Sequence, residues 1–563
     1  LKLNVAFLVV LSAPSAALAA DLYVSPKGND SAAGSEAAPL ASLARAQELA
    51  QAGDTVLLRG GTYAFNAGTT ACKSGTDTIS GVVLSKSGSA GKPIRYFAYP
   101  GEKPVLDFDG IRDSCRIKGI LVSADYVHVK GLELKGVRQN NDLNHESWGL
   151  WNQGSHNVFE LLDVHHIMGA GIFIQRGGDN LVLNCDSHDN LDEHTSNGAG
   201  ESADGFGCHV DAANTGNVFR GCRAWWNADD GFDFINADAP CTVEHSWAWL
   251  NGYKPGTMES IGNGNGIKAG GYGADPADFP DKPAEHVVRF CLAFANKAAG
   301  FYANHHPSSL LFYNNTSYGN HPDFNMLGMD DAGGNITVGK YRNNVALAGT
   351  LFSNRMGADE VSNSWTLGGL MVTDADFQSV ATTGMDAPRQ ADGSLPVLPN
   401  FRLAEGSDLI DKGSDLGLPF AGKAPDLGAF ERGLEQLPGA AGSGVGGGGD
   451  AGAAGAPNSG GGSGNVAGSP SAGSGDGGTP SSPGTAGTPS TSGGAAPIAG
   501  SAGTTQASGG GEPLGAAASE PGDGGCGCRS SRAPSVGNGL PLALLLLVGL
   551  RRRSGYDKRV AAK

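Results

Sequence analysis

The sequence predicts an all-β fold, a right-handed parallel β-helix spanning residues 21 to about 433, with a short N-terminal helix capping it. Three observations carry this: a repeated segment of constant length, an Asn recurring at a fixed offset inside it, and a second short strand that aligns after that Asn.

The repeat comes first. Segments beginning at Asn157, Asn180, Asn217, Cys241, His286 and Ser309 align as short β-branched or aromatic runs. Their starts lie 23, 37, 24, 45 and 23 residues apart. The short spacings define one coil, and the long ones are a coil plus an inserted loop. Such a period, with strand signals broken by Asn and Gly and no helical stretch, fits a parallel β-helix. Ten residues after each start stands Ile167, Asn190, Asn227, Asn251, Asn296 and, one residue later, Asn320. In stacked coils these amides are expected to bond one another along a turn. Cys185, Cys222 and Cys291 share a second column and read as small filler in the bore.

At the N-terminal end, Leu43, Ala46, Leu49 and Ala50 recur at helical spacing, as a plug over the open bore requires. Residues 53–58 read as the first strand after it. Seven cysteines fall within the folded part, so at least one thiol is left over, and Cys72 with Cys115 is the pair expected to bridge.

The two ends differ from this body. Residues 1–20 have a basic start, an apolar run and an Ala-Leu-Ala cleavage pattern, the marks of an export signal. Residues 434–525 are nearly all Gly, Ala, Ser, Pro and Thr, a composition expected of a disordered linker. Residues 526–563 place Cys526 and Cys528 before an apolar run, Leu540 to Leu550, and then Arg551–Arg553. That order resembles the MYXO-CTERM sorting tail of myxobacterial surface proteins. It implies a secreted protein retained at the outer cell surface, touching a membrane only through this tail. The net charge of −17 argues against nucleic acid as a partner, since phosphate binding relies on Lys and Arg. An acidic polymer would be repelled too, unless a bound cation reverses the local field. A monomer is expected.

The second aligned strand carries the chemistry. It reads Gly171-Ile172-Phe173, Gly205-Phe206-Gly207, Gly231-Phe232-Asp233, Gly266-Ile267-Lys268 and Gly300-Phe301-Tyr302. Its third residue points outward, so Asp233 and Lys268 occupy one outer column on successive coils. Asp204 and Asp230, each just before a Gly, share another, with Asp229 adjacent. Taken singly, an Asp-Asp-Gly is a turn and a strand lysine a solvated charge. In register they become four stacked carboxylates with a lysine on the next rung. Repulsion at that spacing calls for a hard cation, and calcium suits an all-oxygen donor set. Two loops, 192–202 and 252–285, bracket this face as cleft walls would.

These motifs, residues 202–206, 227–233 and 264–271, are similar to the core of the polysaccharide lyase family nine pectate lyases. So are residues 21–26, 53–56, 60–63 and 425–431. The resemblance implies one calcium held by Asp204, Asp229, Asp230 and Asp233, with Lys268 as catalytic base. The activity implied is β-elimination on pectate. A free lysine titrates near 10.4, so with Lys268 as base an alkaline optimum is expected. Alternatives are a lyase on another uronic-acid polymer, a polygalacturonase-like hydrolase, and a non-catalytic surface adhesin. Of the other residues, Tyr302 shares the column of Lys268 and could stack on a sugar. Asn304, His305 and His306 read as a turn before Pro307. His165, His166, His188 and His209 are not expected to share one outward column, and Trp225, Trp226, Trp247 and Trp249 read as packing residues.

Overall fold

The computed structural model describes residues 19–73, 77–139, 146–195, 198–273, 275–347, 352–353 and 359–434. The expected export signal therefore lies outside them except for residues 19 and 20, and the linker except for Leu434. The whole of 526–563 also lies outside.

Each coil visits three parallel sheets in turn. Sheet one has 12 strands, from Asp21–Val24 to Asp359–Val361. Sheet two has 10, from Gly61–Ala64 to Val345–Leu347, and sheet three has 10, from Thr78–Leu84 to Phe352–Ser353. All three are wholly parallel, and their inner faces meet in one buried core that fills the bore. The expected parallel β-helix is thus observed. One detail differs at its start: Asp21–Val24 precedes the helix and pairs with Thr55–Leu58, so residues 53–58 belong to the second rung. This strand, of which only Val24 is fully buried, follows directly on the expected export signal, which obscured it in the sequence.

The helix spans Leu43–Leu49 and buries Leu43 and Ala46 against the core. Ser42 caps it, its hydroxyl accepting from the Arg45 amide at 3.1 Å.

Repeat register agrees with the sequence alignment through five segments: Val158 pairs with Leu181, Leu181 with Val218, Val218 with Thr242, and Thr242 with Val287. The sixth slips by one. Val287 pairs with Leu311, so Leu310 and not Ser309 opens that segment. This correction restores Asn320 to the common offset. Two adjacent leucines at the start of the segment had made the shift invisible.

The Asn column is a continuous buried ladder. Side-chain amides donate from Asn190 to Asn227 (2.8 Å), Asn227 to Asn251 (3.0 Å), Asn251 to Asn296 (2.9 Å) and Asn296 to Asn320 (2.9 Å). Each rung satisfies donors that burial would otherwise make costly. The cysteine column also holds: Cys185, Cys222 and Cys291 are buried and unbridged. It continues as a second amide ladder, Asn315 to Asn344 to Asn363.

Phenylalanines fill the bore beside the site, with Phe206 stacked on Phe232 at 4.8 Å and Phe301 on Phe324 at 4.9 Å. The Cys72–Cys115 bridge is present as expected. A second, Cys208–Cys241, joins the end of a sheet-three strand to the start of a sheet-one strand and encloses residues 209–240.

On the outer face of sheet two, His165 pairs with His188, so two of the four histidines do share a column. The column continues as a stack through Trp225, Trp249 and Phe294. Phe377, Met385 and Phe401 from the C-terminal segment cover it, so the tryptophans here are packing residues.

Candidate active site

Where sheet two hands over to sheet three, the chain passes through a column of glycines. A Cβ on Gly205, Gly231 or Gly266 would sit 2.7, 2.5 or 2.6 Å from the next coil's carbonyl oxygen. It would also press on the ladder amides of Asn227, Asn251 and Asn296. Only glycine lets the backbone lie this close to the ladder. The residues just before and two after each glycine are thereby turned outward: Asp204, Asp230 and Asn265 in one column, Gly207, Asp233 and Lys268 in the other. The register pairs Gly207 with Asp233 and Asp233 with Lys268.

One carboxylate oxygen each of Asp204, Asp230 and Asp233 lies within 4.8 Å of the other two. Backbone and amide donors aim them. Asp204 Oδ1 accepts from the Asp230 amide (3.2 Å) and Asp233 Oδ1 from the Ile235 amide (2.7 Å). Asp230 Oδ1 takes both the backbone N–H (2.6 Å) and the side-chain Nδ2 (2.8 Å) of Asn265. The remaining oxygens of Asp230 and Asp233 face Lys268, whose Nζ lies 3.1 Å and 3.3 Å from their Oδ2 atoms. Asp230 Oδ2 is buried and receives no hydrogen bond.

Asp229 stands beside this group rather than in it. Its Oδ1 accepts from the Asn263 amide at 2.9 Å. Burial, then the charge on Asp230, pushes its carboxyl well above the usual carboxylate range. Lys268 is 7% exposed. Burial alone would depress its ammonium, but the charges of Asp233, Asp230, Asp229 and Asp204 outweigh it and hold Lys268 well above the ordinary lysine range. The cluster is therefore rich in hard oxygen donors, and one buried carboxylate oxygen is met only by the Lys268 ammonium. That donor set fits a divalent cation.

Three neighbours of the site were not assigned to it from sequence. Asn265 orients Asp230, and its column position after Asp204 and Asp230 could have revealed it. Glu201 accepts from Asn263 Nδ2 at 3.0 Å, and burial followed by the charge on Asp230 raises its carboxyl. His209 Nε2 lies 4.0 Å from Asp233 Oδ2, and its ring meets Phe173 edge-on. Of the residues weighed beyond Lys268, Tyr302 is its register partner on the next coil. Asn304 and His305 have left-handed backbone (φ 52° and 58°), and buried His306 accepts from the Gly271 amide through Nδ1 (3.1 Å), as a turn and packing group.

Residues 22–344 match the family described as the Pel9A-like, right handed beta helix region. The chain belongs to this family. Among the relatives of this Pel9A-like chain, pectate lyase L of Dickeya chrysanthemi is 35% identical over 419 residues, covering 73% of this chain and 90% of that protein. Pectate lyase PEL9 of Emericella nidulans is 32% identical, covering 68% and 91%. The crystal structure of pectate lyase Pel9A superposes with a TM-score of 0.62 at 34% identity, covering 74% of this chain and 98% of that one. A solved rhamnogalacturonan lyase gives 0.64 at 32% identity, covering 68% and 96%. The protein is a polysaccharide lyase whose acidic cluster lies on sheet three of the β-helix.

Proposed function

We propose that this lyase cleaves pectate by β-elimination, with calcium at the acidic cluster and Lys268 as the base. The observation carrying this is the placement of Lys268 Nζ against Oδ2 of both Asp230 and Asp233, in a cluster of three converging carboxylates. Asp204, Asp230 and Asp233 would hold the ion, with Asp229 as the fourth ligand the family resemblance implies. Bound calcium supplies positive charge that draws in a uronate carboxylate and offsets the negative charge developing beside it as the C5 proton leaves.

Lys268 does the proton chemistry. As the neutral amine it accepts the C5 proton, the C5–H electrons form the C4–C5 double bond, and the C4–O bond breaks toward the leaving chain. Surrounding carboxylates favour its charged form, so the amine becomes available as pH rises and as their charge is compensated. Burial of Lys268 limits water around the amine. Pectate is favoured by the pectate lyases among the relatives, and their identities reach 35%. Rhamnogalacturonan is the second reading, favoured by the rhamnogalacturonan lyase at TM-score 0.64.

The test is incubation of the protein with polygalacturonate and, separately, rhamnogalacturonan, each with calcium or with chelator, followed by ultraviolet absorbance of the unsaturated product. Calcium-dependent absorbance on polygalacturonate supports the proposal, and absorbance on rhamnogalacturonan alone moves the substrate. New reducing ends without absorbance would mean hydrolysis. Export of the chain, proposed from residues 1–20, accords with the two disulfides among the described residues, since such bonds form in oxidising compartments.

A further inference from the structure

North of the carboxylates, toward the N-terminal coils, the outer face of sheet three changes character. The column of Asp204 continues back through Ala170 and Trp148 to Lys118, and that of Asp233 through Gly207 and Phe173 to Trp151. Trp151 stacks on Phe173 (4.9 Å) and meets Trp148 edge-on (4.3 Å). His209, edge-on to Phe173, links this aromatic strip to Asp233.

Lys118 stands on the strip. Its Nζ lies 4.0 Å from the centre of the Trp151 ring and 5.7 Å from that of Trp148. Among the described residues it has no hydrogen bond and no ion pair. The guanidinium of Arg116 lies 4.9 Å over Trp148 and is paired with Glu146. Burial, then the charges of Arg116 and Arg176, lower the Lys118 ammonium to about 8. A half-buried cation crowded by two others, in a chain of net charge −17, is a group that an anion would stabilise. Between this strip and the carboxylates the outer columns hold Ala170 and Gly207, where a Cβ on Gly207 would already touch Phe173 (2.5 Å). The Phe173 ring thus lies across Gly207 and carries the apolar strip up to the rung beside Asp233.

We propose that Lys118, seated on the Trp148–Trp151 pair, binds the carboxylate of a uronate residue several units from the bond being broken. The polysaccharide then runs along sheet three toward the N-terminal coils, a sugar face against the partly exposed Trp151 ring, which buried Trp148 and Phe173 support. Lys118 lies three rungs from Asp204, roughly 14 Å at the spacing of parallel strands. This inference rests on the uronate-lyase reading and adds a residue that makes affinity depend on chain length and on unesterified carboxylates.

Calorimetric titration tests it, with the Lys268→Ala protein as a background that binds without turnover, calcium present, and oligogalacturonates of increasing length as probes. The expected result is a step in affinity once the oligomer spans the three rungs. Lys118→Met on that background removes the step, about tenfold in Kd or ~1.4 kcal/mol, and Lys118→Arg retains it. Methyl-esterified oligomers of the same length show no step. An unchanged step in the folded Lys118→Met protein, or an equal step with esterified oligomers, overturns the inference. If the background binds rhamnogalacturonan oligomers instead and Lys118→Met removes their length step, the inference stands and only the pectate assignment falls. If it binds neither series, the uronate reading itself fails, with the Lys118 inference.

Discussion

Lys268 Nζ lies 3.3 Å from Oδ2 of Asp233, the residue its own backbone pairs with on the preceding coil. Strand stacking thus delivers an ammonium to a carboxylate cluster without help from any loop. Replacing Lys268 with Ala is expected to lower the rate by about 10²–10⁴-fold, the usual contribution of a positioned base. Initial rates from product absorbance check this, with circular dichroism as the control for folding. Retention of full activity would remove Lys268 from the chemistry.

The acidic surroundings give the pH dependence a sign. Four aspartates hold the Lys268 ammonium above the ordinary lysine range despite burial. A base must be neutral, so activity should rise with pH on the acid limb of the profile. Raising calcium should move that limb to lower pH, because added positive charge opposes the aspartates. Profiles of kcat/KM at two calcium concentrations read both effects, and a purely acidic optimum contradicts them.

Asn265 offers a test of the cluster that leaves every carboxylate in place. It gives two hydrogen bonds to Asp230 Oδ1. Asn265→Ala removes the side-chain bond and should weaken calcium binding by about 10–100-fold, as loss of an orienting partner does in other metal sites. Calcium titration of the purified protein measures it directly. An unchanged affinity would mean the backbone bond alone positions Asp230.

Much of this was legible in the sequence, and for a physical reason. Sheet register in a β-helix is repetition, so aligning Gly231-Phe232-Asp233 with Gly266-Ile267-Lys268 already placed two side chains one rung apart. The Asn ladder was readable in the same way. Asp229 was legible as a neighbour of the column, but the partner of its Oδ1, the Asn263 amide, was not, because that depends on local backbone direction. His209 was hidden too, since its ring reaches Asp233 across coils of different loop length. Cys208–Cys241 joins positions that no column relates.

The glycine column predicts a local sensitivity. Gly231 carries no unusual φ, yet a Cβ there would lie 2.5 Å from the Gly266 carbonyl and 2.9 Å from the Asn251 amide. Gly231→Ala should therefore destabilise by roughly 1–3 kcal/mol, the usual cost of overpacking, and displace Asp230 and Asp233 on either side. Denaturant titration and calcium affinity should both fall. Gly91→Ala is the contrast, since a Cβ there meets nothing within 4 Å, although its φ of 71° adds backbone strain.

His188 ties stability to pH in a separate region. Burial favours its neutral form, but Asp163 (3.0 Å) and Asp189 (2.7 Å) overcome that and raise it to about 9. Its folded value exceeds the unfolded one of about 6.5. The stabilisation is therefore fully present below about pH 6.5 and is lost as pH rises through about 9. Tm measured across this range should decline for the native protein and decline less for His188→Gln. Parallel curves would exclude the histidine as the cause.

The insertions in the two long coils leave the ladder intact. Asn190 still reaches Asn227 across 37 residues, and Asn251 still reaches Asn296 across 45, at the same hydrogen-bond distances as the short coils. Loop length and ladder geometry are thus mechanically uncoupled in this molecule. An insertion can be shortened between two rungs while the ladder holds its register, so trimming residues 253–260 should leave Asp233 and Lys268 paired.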